Sequence, residues 1–191
     1  MRPQQTGKLT TLNTKVKGEE MNGRGFTLVE LLVVLAVGSI LLAIAIPSYA
    51  FLVNTNRLAA ATNALVSSLQ LARSEAIKRA TRVTVCKSSN AMAAQPSCNA
   101  AAAWQEGWII FVDGGTKGMT DGADEILRVY GPGNITYTAS NFNSYISFLS
   151  HGRSQGPNGL GNGTFSLCLA GELRKIILNS TGRIRLEKGT C

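Results

Sequence analysis

The feature that most constrains this chain is the apolar segment from Phe26 to Val53, where the only polar side chains are Thr27, Glu30, Ser39, Ser48 and Tyr49. Within it, Leu31–Ile46 is 16 residues without a charge, roughly 24 Å of helix. The whole segment, about 42 Å as a helix, reaches across a bilayer's hydrocarbon core. Residues 1–25 are polar, with Arg2, Lys8, Lys15, Lys17 and Arg24 against Glu19 and Glu20. A basic leader before an apolar run is the order of a secretory signal, but such a signal is cut after the run, and Ala43–Pro47 offers only a vague small-residue site. The abrupt switch lies at Gly25–Phe26 instead. Glu30 also argues against a plain anchor, because an ionisable group at membrane depth is expensive and marks function. Cutting the chain before Phe26 supplies a partner: the new α-amino group stands at i to the i+4 of Glu30, or meets Glu30 of a neighbouring copy. The nearest later cation is Arg57.

Gly25-Phe26-Thr27-Leu28-Val29-Glu30 followed by an apolar run resembles the type IV prepilin signal. The resemblance implies cleavage between Gly25 and Phe26 by prepilin peptidase and N-methylation of Phe26. It also implies that Glu30 guides docking onto other major and minor pilins during fibre assembly. Pro47 falls where pilins carry a helix-kinking proline, whose missing donor supplies the cause. Prepilin leaders are short and basic; a start at Met21 gives the leader Met21-Asn22-Gly23-Arg24-Gly25, and residues 1–20 are then an extension of the reading frame. The expected organisation is a leader over 1–25, a transmembrane and pilus-core helix over 26–53, and an ectodomain over 54–191. That order implies a single-pass inner-membrane protein with a periplasmic ectodomain, later carried into an extracellular pilus.

From Asn54 to Ala80 the apolar residues Leu58, Ala61, Leu65, Leu69, Ala72 and Ala76 recur at three- and four-residue spacing, which predicts an amphipathic helix buried along one stripe. Beyond Ala80 the period becomes two. Strands are expected over 82–87, 107–112, 125–130, 135–138, 145–149, 164–169, 173–179 and 183–187, with a tight turn at Gly171-Glu172. Residues 88–103 and 152–163 read as surface loops. The expected fold is α+β, a long N-terminal helix packed on an antiparallel sheet. The stretch LARSEAIKRATRVTVC (71–86) and the Gly-Trp-x-x-Phe-x-Asp segment at Gly107–Asp113 resemble the GspH/FimT family of minor pilins and pseudopilins.

Several chemistries are set aside on the residues themselves. With 16% charged and 45% hydrophobic residues the chain is no disordered tail, and 6% aromatics suit a base-stacking platform poorly. The single histidine, His151, has no Gly-x-Ser-x-Gly elbow to serve, and Gly159–Gly163 does not open a helix as a phosphate cradle must. No catalytic residue, metal site or cofactor is expected. Asp113–Glu125 superficially resembles a calcium loop, but Gly115 and Lys117 stand where ligands belong. Cys86, Cys98, Cys168 and Cys191 lack paired zinc spacing and read as disulfides. Three pairings exist; the local one, Cys86–Cys98 with Cys168–Cys191, closes one loop per pair and pins the carboxyl terminus.

The remaining signal is charge. After residue 25 there are 14 Lys+Arg and 9 Asp+Glu, and the tail from Leu173 holds Arg174, Lys175, Arg183, Arg185 and Lys188 against Glu187 alone. If 183–187 is extended, Arg183 and Arg185 share a face about 6–7 Å apart, near the phosphate spacing of a nucleic-acid strand. A solvent-facing edge strand has the same pattern. Gly182-Arg183-Ile184-Arg185 resembles the Gly-Arg-x-Arg motif of FimT-type minor pilins, which implies sequence-independent DNA binding through Arg183 and Arg185 in natural transformation. Lys188, Arg174 and Lys175 are added on charge alone. The alternatives are a structural, FimU-like minor pilin that primes assembly and a GspH-like pseudopilin of a type II secretion system.

Overall fold

The structure, a computed structural model, describes residues 25–191 except Ala123. The leader expected over 1–25 and the extension over 1–20 therefore lie, apart from Gly25, outside the described residues. The chain divides into two compact units, one ending at Ile44 and the other Ala45–Cys191. Both expected helical stretches belong to one helix, α1 (Leu28–Arg79), which runs on through position 47. Thr27 starts it: its carbonyl accepts the first helical bond, from the Leu31 amide at 3.2 Å, and its hydroxyl accepts the Glu30 amide at 3.2 Å, satisfying one of the donors every helix N-terminus leaves open. At the other end Ala80 is left-handed (φ 52°), the Thr81 amide reaches the Ala76 carbonyl and the Ala80 amide that of Ile77, the bonds of a Schellman stop.

In the second unit α1 is buried along the expected stripe: Leu58, Leu65, Leu69, Ala72 and Ala76 are fully inaccessible. The strands that cover it form two antiparallel sheets, where the sequence suggested one. They are β1 (Val83–Lys87), β2 (Trp108–Val112), β3 (Ile126–Tyr130), β4 (Thr136–Ser140), β5 (Tyr145–Phe148), β6 (Ser154–Gln155), β7 (Gly163–Leu169), β8 (Glu172–Leu178) and β9 (Ile184–Thr190). Sheet A has the order β3-β2-β1-β5-β6 and sheet B the order β4-β7-β8-β9. Val83, Val85, Ile110, Ile146 and Phe148 of sheet A and Tyr137, Phe165, Leu167, Ile176 and Leu178 of sheet B meet the helix in one core. Burial there pushes the Tyr137 phenol up to about 12.

Two expectations are corrected. The 152–163 loop contains β6, two residues whose polar composition carries no alternation, pairing Ser154 with Phe148 and Gln155 with Ser147. The β7–β8 turn is Ala170-Gly171, not Gly171-Glu172: Leu169 pairs with Glu172, and Ala170 and Gly171 both have positive φ (51° and 85°), a two-residue turn that matches strand twist.

β1 is buried on both faces. Its outward residue Cys86 joins Ala91, Ile109 and Phe111 in a second core beneath the 88–103 segment, which the Cys86–Cys98 disulfide holds down. The Gly107–Asp113 motif is explained by packing. A Cβ on Gly107, at φ 130°, would stand 2.5 Å from the Tyr130 carbonyl oxygen. Trp108 donates its indole N–H to Ser68 at 2.9 Å and stacks on Tyr130. Buried Asp113 accepts from Arg82 at 2.7 Å, Thr84 at 2.6 Å and the Gly118 amide at 2.9 Å. Arg79 ties the end of α1 to Glu75 and to Glu125 just before β3, and this guanidinium holds both carboxyls below their ordinary range.

Leu69→Ala in the isolated second unit is expected to lose about 2–5 kcal/mol in urea unfolding, because the helix is gripped from both sheets and the site has little room to collapse. The Glu75 and Glu125 carboxyls are depressed by Arg79, so their contribution is present above the ordinary glutamate value of about 4.3 and is lost as pH falls through the lowered folded values. The stability difference between wild type and Arg79→Met is therefore expected to be constant at neutral pH and to close on acidification.

Candidate functional site

Two places bear on function, one in each unit. In the first, Phe26, Thr27 and Glu30 are exposed at the start of α1. Glu30 lies in the first turn, where a negative charge complements the helix dipole. α1 contains an apolar stretch long enough to cross a membrane.

In the second unit the candidate site is the β8–β9 hairpin at the edge of sheet B. Its loop is built on Asn179, whose side-chain oxygen accepts the Thr181 hydroxyl at 2.7 Å and the Arg183 amide at 2.9 Å, while its own amide reaches the Arg183 carbonyl at 3.2 Å. Gly182 turns the chain at φ 76°, and a Cβ there would stand 2.4 Å from the Gly152 carbonyl oxygen and 3.0 Å from Arg73 Nε. Arg73 is the reason for the crowding. It reaches out from α1 and donates to the Gly152 carbonyl and the Thr181 carbonyl, each at 3.1 Å. One guanidinium thus joins the helix, the β5–β6 turn and the β8–β9 loop. Arg73 is not part of the periodic stripe, and its place beside Ala72 on the flank of that stripe is the one sequence hint of this role.

Arg183 precedes β9 and does not begin it; its amide is taken by the loop. It nonetheless lines, with Ile177, Asn179, Ile184 and Arg185, an open groove of about 440 Å³. Strand register decides which other cations join this surface. Ile177 pairs with Arg185 and Lys175 with Glu187, on the face of sheet B turned from the core; Arg174 pairs with Lys188 on the side of buried Ile176 and Leu178. The five cations of the tail therefore do not form one patch. Arg183, Arg185 and Lys175 share the outer side, and alternation sends Arg174 and Lys188 to the other. Arg174 is further withdrawn, its side chain 12% exposed and bonded to Glu172 and the Leu173 carbonyl. Arg185 is 70% exposed and pairs with Glu187 at 2.9 Å.

Cys168–Cys191 is formed, with Cα atoms 6.2 Å apart, and it ties the end of the chain beyond β9 back to β7 across β8. His151 is exposed in the β5–β6 turn. In the calcium-like loop the carboxylates are occupied by backbone: Asp121 accepts from Thr116, Asp124 from Gly114 and Asp121, and Glu125 goes to Arg79. Among the described residues no group of three or more His, Cys, Asp or Glu is placed to hold a metal.

The family described as "Type II transport protein GspH" matches residues 61–182, most of the second unit. The chain belongs to the GspH family. The match ends at Gly182, so Arg183 and Arg185 lie just beyond it. The prokaryotic N-terminal methylation motif matches residues 21–46, from Met21 through the signal and into the apolar helix. No curated protein matches. Among solved structures, two crystal structures of the type IV minor pilin FimU from Pseudomonas aeruginosa (strain PAO1) are similar. One is 21% identical over 67% of this chain and 90% of that chain, with a TM-score of 0.50. The other is 21% identical over 70% and 90%, with a TM-score of 0.53. At that identity the likeness establishes the type IV pilin fold, a long helix packed on antiparallel sheets.

Gly182→Ala is expected to destabilise the second unit by about 1–3 kcal/mol, from left-handed backbone and the close approach to Gly152. Urea unfolding measures it. Asn179→Ala, which removes the loop's acceptor, is expected to lose a smaller amount, about 1 kcal/mol.

Proposed function

We propose that this chain is a minor type IV pilin whose ectodomain binds DNA through the outer side of the β8–β9 hairpin. It enters the inner membrane through α1, loses its leader between Gly25 and Phe26 by prepilin peptidase, and is N-methylated at Phe26. It then joins other pilins in the fibre, Glu30 being set against the new amino terminus of its own or a neighbouring subunit. The methylation motif, the apolar helix and the pilin fold support this part of the reading.

The DNA-binding part rests on one observation: two exposed arginines, Arg183 and Arg185, flank a groove whose walls include Ile177 and Ile184. Guanidinium groups bind phosphate through paired donors, and the groove walls suit the apolar flank of a sugar. Phosphate contacts carry no sequence information, so the binding is sequence-independent and serves natural transformation. A structural minor pilin or a type II secretion pseudopilin is the second reading, favoured by the family's own description and by the Arg185–Glu187 pair, which halves the free charge of the site.

The test is binding of duplexes of unrelated sequence to the oxidised fragment 54–191, which keeps both hydrophobic cores entire. Affinity is expected to fall linearly in log–log salt plots, and Arg183→Ala/Arg185→Ala to lower the slope by up to about 0.9 for each phosphate no longer neutralised. Lys188→Ala, on the other side of β9, is expected to change affinity little. Equal, weak binding by wild type and double variant at physiological salt would leave the structural reading standing.

A further inference from the structure

The outer side of sheet B continues away from the arginines as a row of hydroxyls. Register aligns Thr138, Ser166 and Lys175 across β4, β7 and β8, and Ser140 and Thr164 in the neighbouring row, which leads through Ile177 to Arg185. Thr136 and Thr138 are exposed, and Thr164 and Ser166 partly so. Among the described residues the hydroxyls of Thr138, Thr164 and Ser166 have no hydrogen-bond partner. On this side of the four strands the only acid among the described residues is Glu187, already paired with Arg185. The surface thus offers cations along one margin, free hydroxyl donors along the other, and almost no negative charge to repel a polyanion.

The separation of the two margins is informative. Strands lie about 4.8 Å apart, so the β7 and β4 hydroxyls are about 10 and about 14 Å from β9. The two backbones of B-form DNA flank a minor groove about 6 Å wide, which puts their phosphorus atoms about 12 Å apart. A single strand lying on Arg183 and Arg185 would leave the hydroxyl margin empty.

We propose that the outer face of sheet B seats a double-stranded nucleic acid, one backbone on Arg183 and Arg185, the other on the hydroxyls of Thr138, Thr164 and Ser166, with Lys175 beneath the minor groove between them. This rests on the DNA-binding reading and adds to it a second line of contacts, the hydroxyl row that a duplex alone would reach.

The experiment uses the full chain in non-ionic detergent, with a 30-base-pair duplex of arbitrary sequence and one of its strands alone as probes. Ser166→Asp is expected to weaken duplex binding about tenfold by setting a carboxylate against the second backbone, while single-strand binding changes less than about twofold. Thr190→Asp adds the same charge on the opposite side of β9 and is expected to have little effect on either. Thr138→Val/Thr164→Val keeps shape and strand preference, guarding against misfolding, and is expected to lower duplex affinity about threefold. If Ser166→Asp and Thr190→Asp act equally, or duplex and single strand weaken equally, the duplex seat is overturned while nucleic-acid binding survives. If Arg183→Ala/Arg185→Ala changes nothing, or wild type binds neither probe, the DNA-binding reading falls and the seat with it.

Discussion

Everything in the second unit depends on the burial of one helical stripe, Leu58 to Ala76, between two sheets. Neither sheet has a core of its own that is large enough. Sheet A buries its far face under the disulfide-held 88–103 segment and the Asp113–Gly118 loop, and sheet B leaves its far face largely in solvent. The large apolar side chains of both sheets converge on α1, so the helix is the shared hydrophobic partner that makes two small sheets into one fold. Towards its end the helix carries small residues on this stripe, Ala72 and Ala76, beside Arg73, which ties the β5–β6 and β8–β9 connections to it.

Arg73 also separates what packing demands from what it leaves free. The glycine of Gly182-Arg183-Ile184-Arg185 is accounted for by the guanidinium and carbonyl pressed against it. Ile184 packs against the core. The two arginines are accounted for by neither; their side chains point into the groove and solvent. A motif read as one unit in the sequence is thus half scaffold and half surface, and only the second half is available for recognition.

Local patterns were legible and long-range ones were not. The helical stripe and the placement of eight strands to within a few residues follow from spacing, because burial has a period; of the three disulfide pairings that spacing leaves open, the structure has the local one. β6 was missed because two polar residues, Ser154 and Gln155, have no period. The Ala170-Gly171 turn was shifted by one because alanine in left-handed backbone is rare, and only the ladder on both sides imposes it. The split into two sheets, and of the basic tail into two sides, depends on which strands pair and in what register. Arg174 and Lys175 are adjacent in sequence, yet the register sends one to Glu172 and Lys188 and the other to Glu187. Charge counting cannot see this division of the tail between the two sides of the sheet.

The pairing of Arg185 with Glu187 weighs on the site less than its 2.9 Å distance suggests. Both groups are well exposed, and an ion pair in that setting contributes about 0–1 kcal/mol. On the proposed reading, a polyanion would bring several phosphates into reach of Arg183, Arg185 and Lys175 together, and the release of its condensed counterions would add a favourable entropy that a single carboxylate lacks.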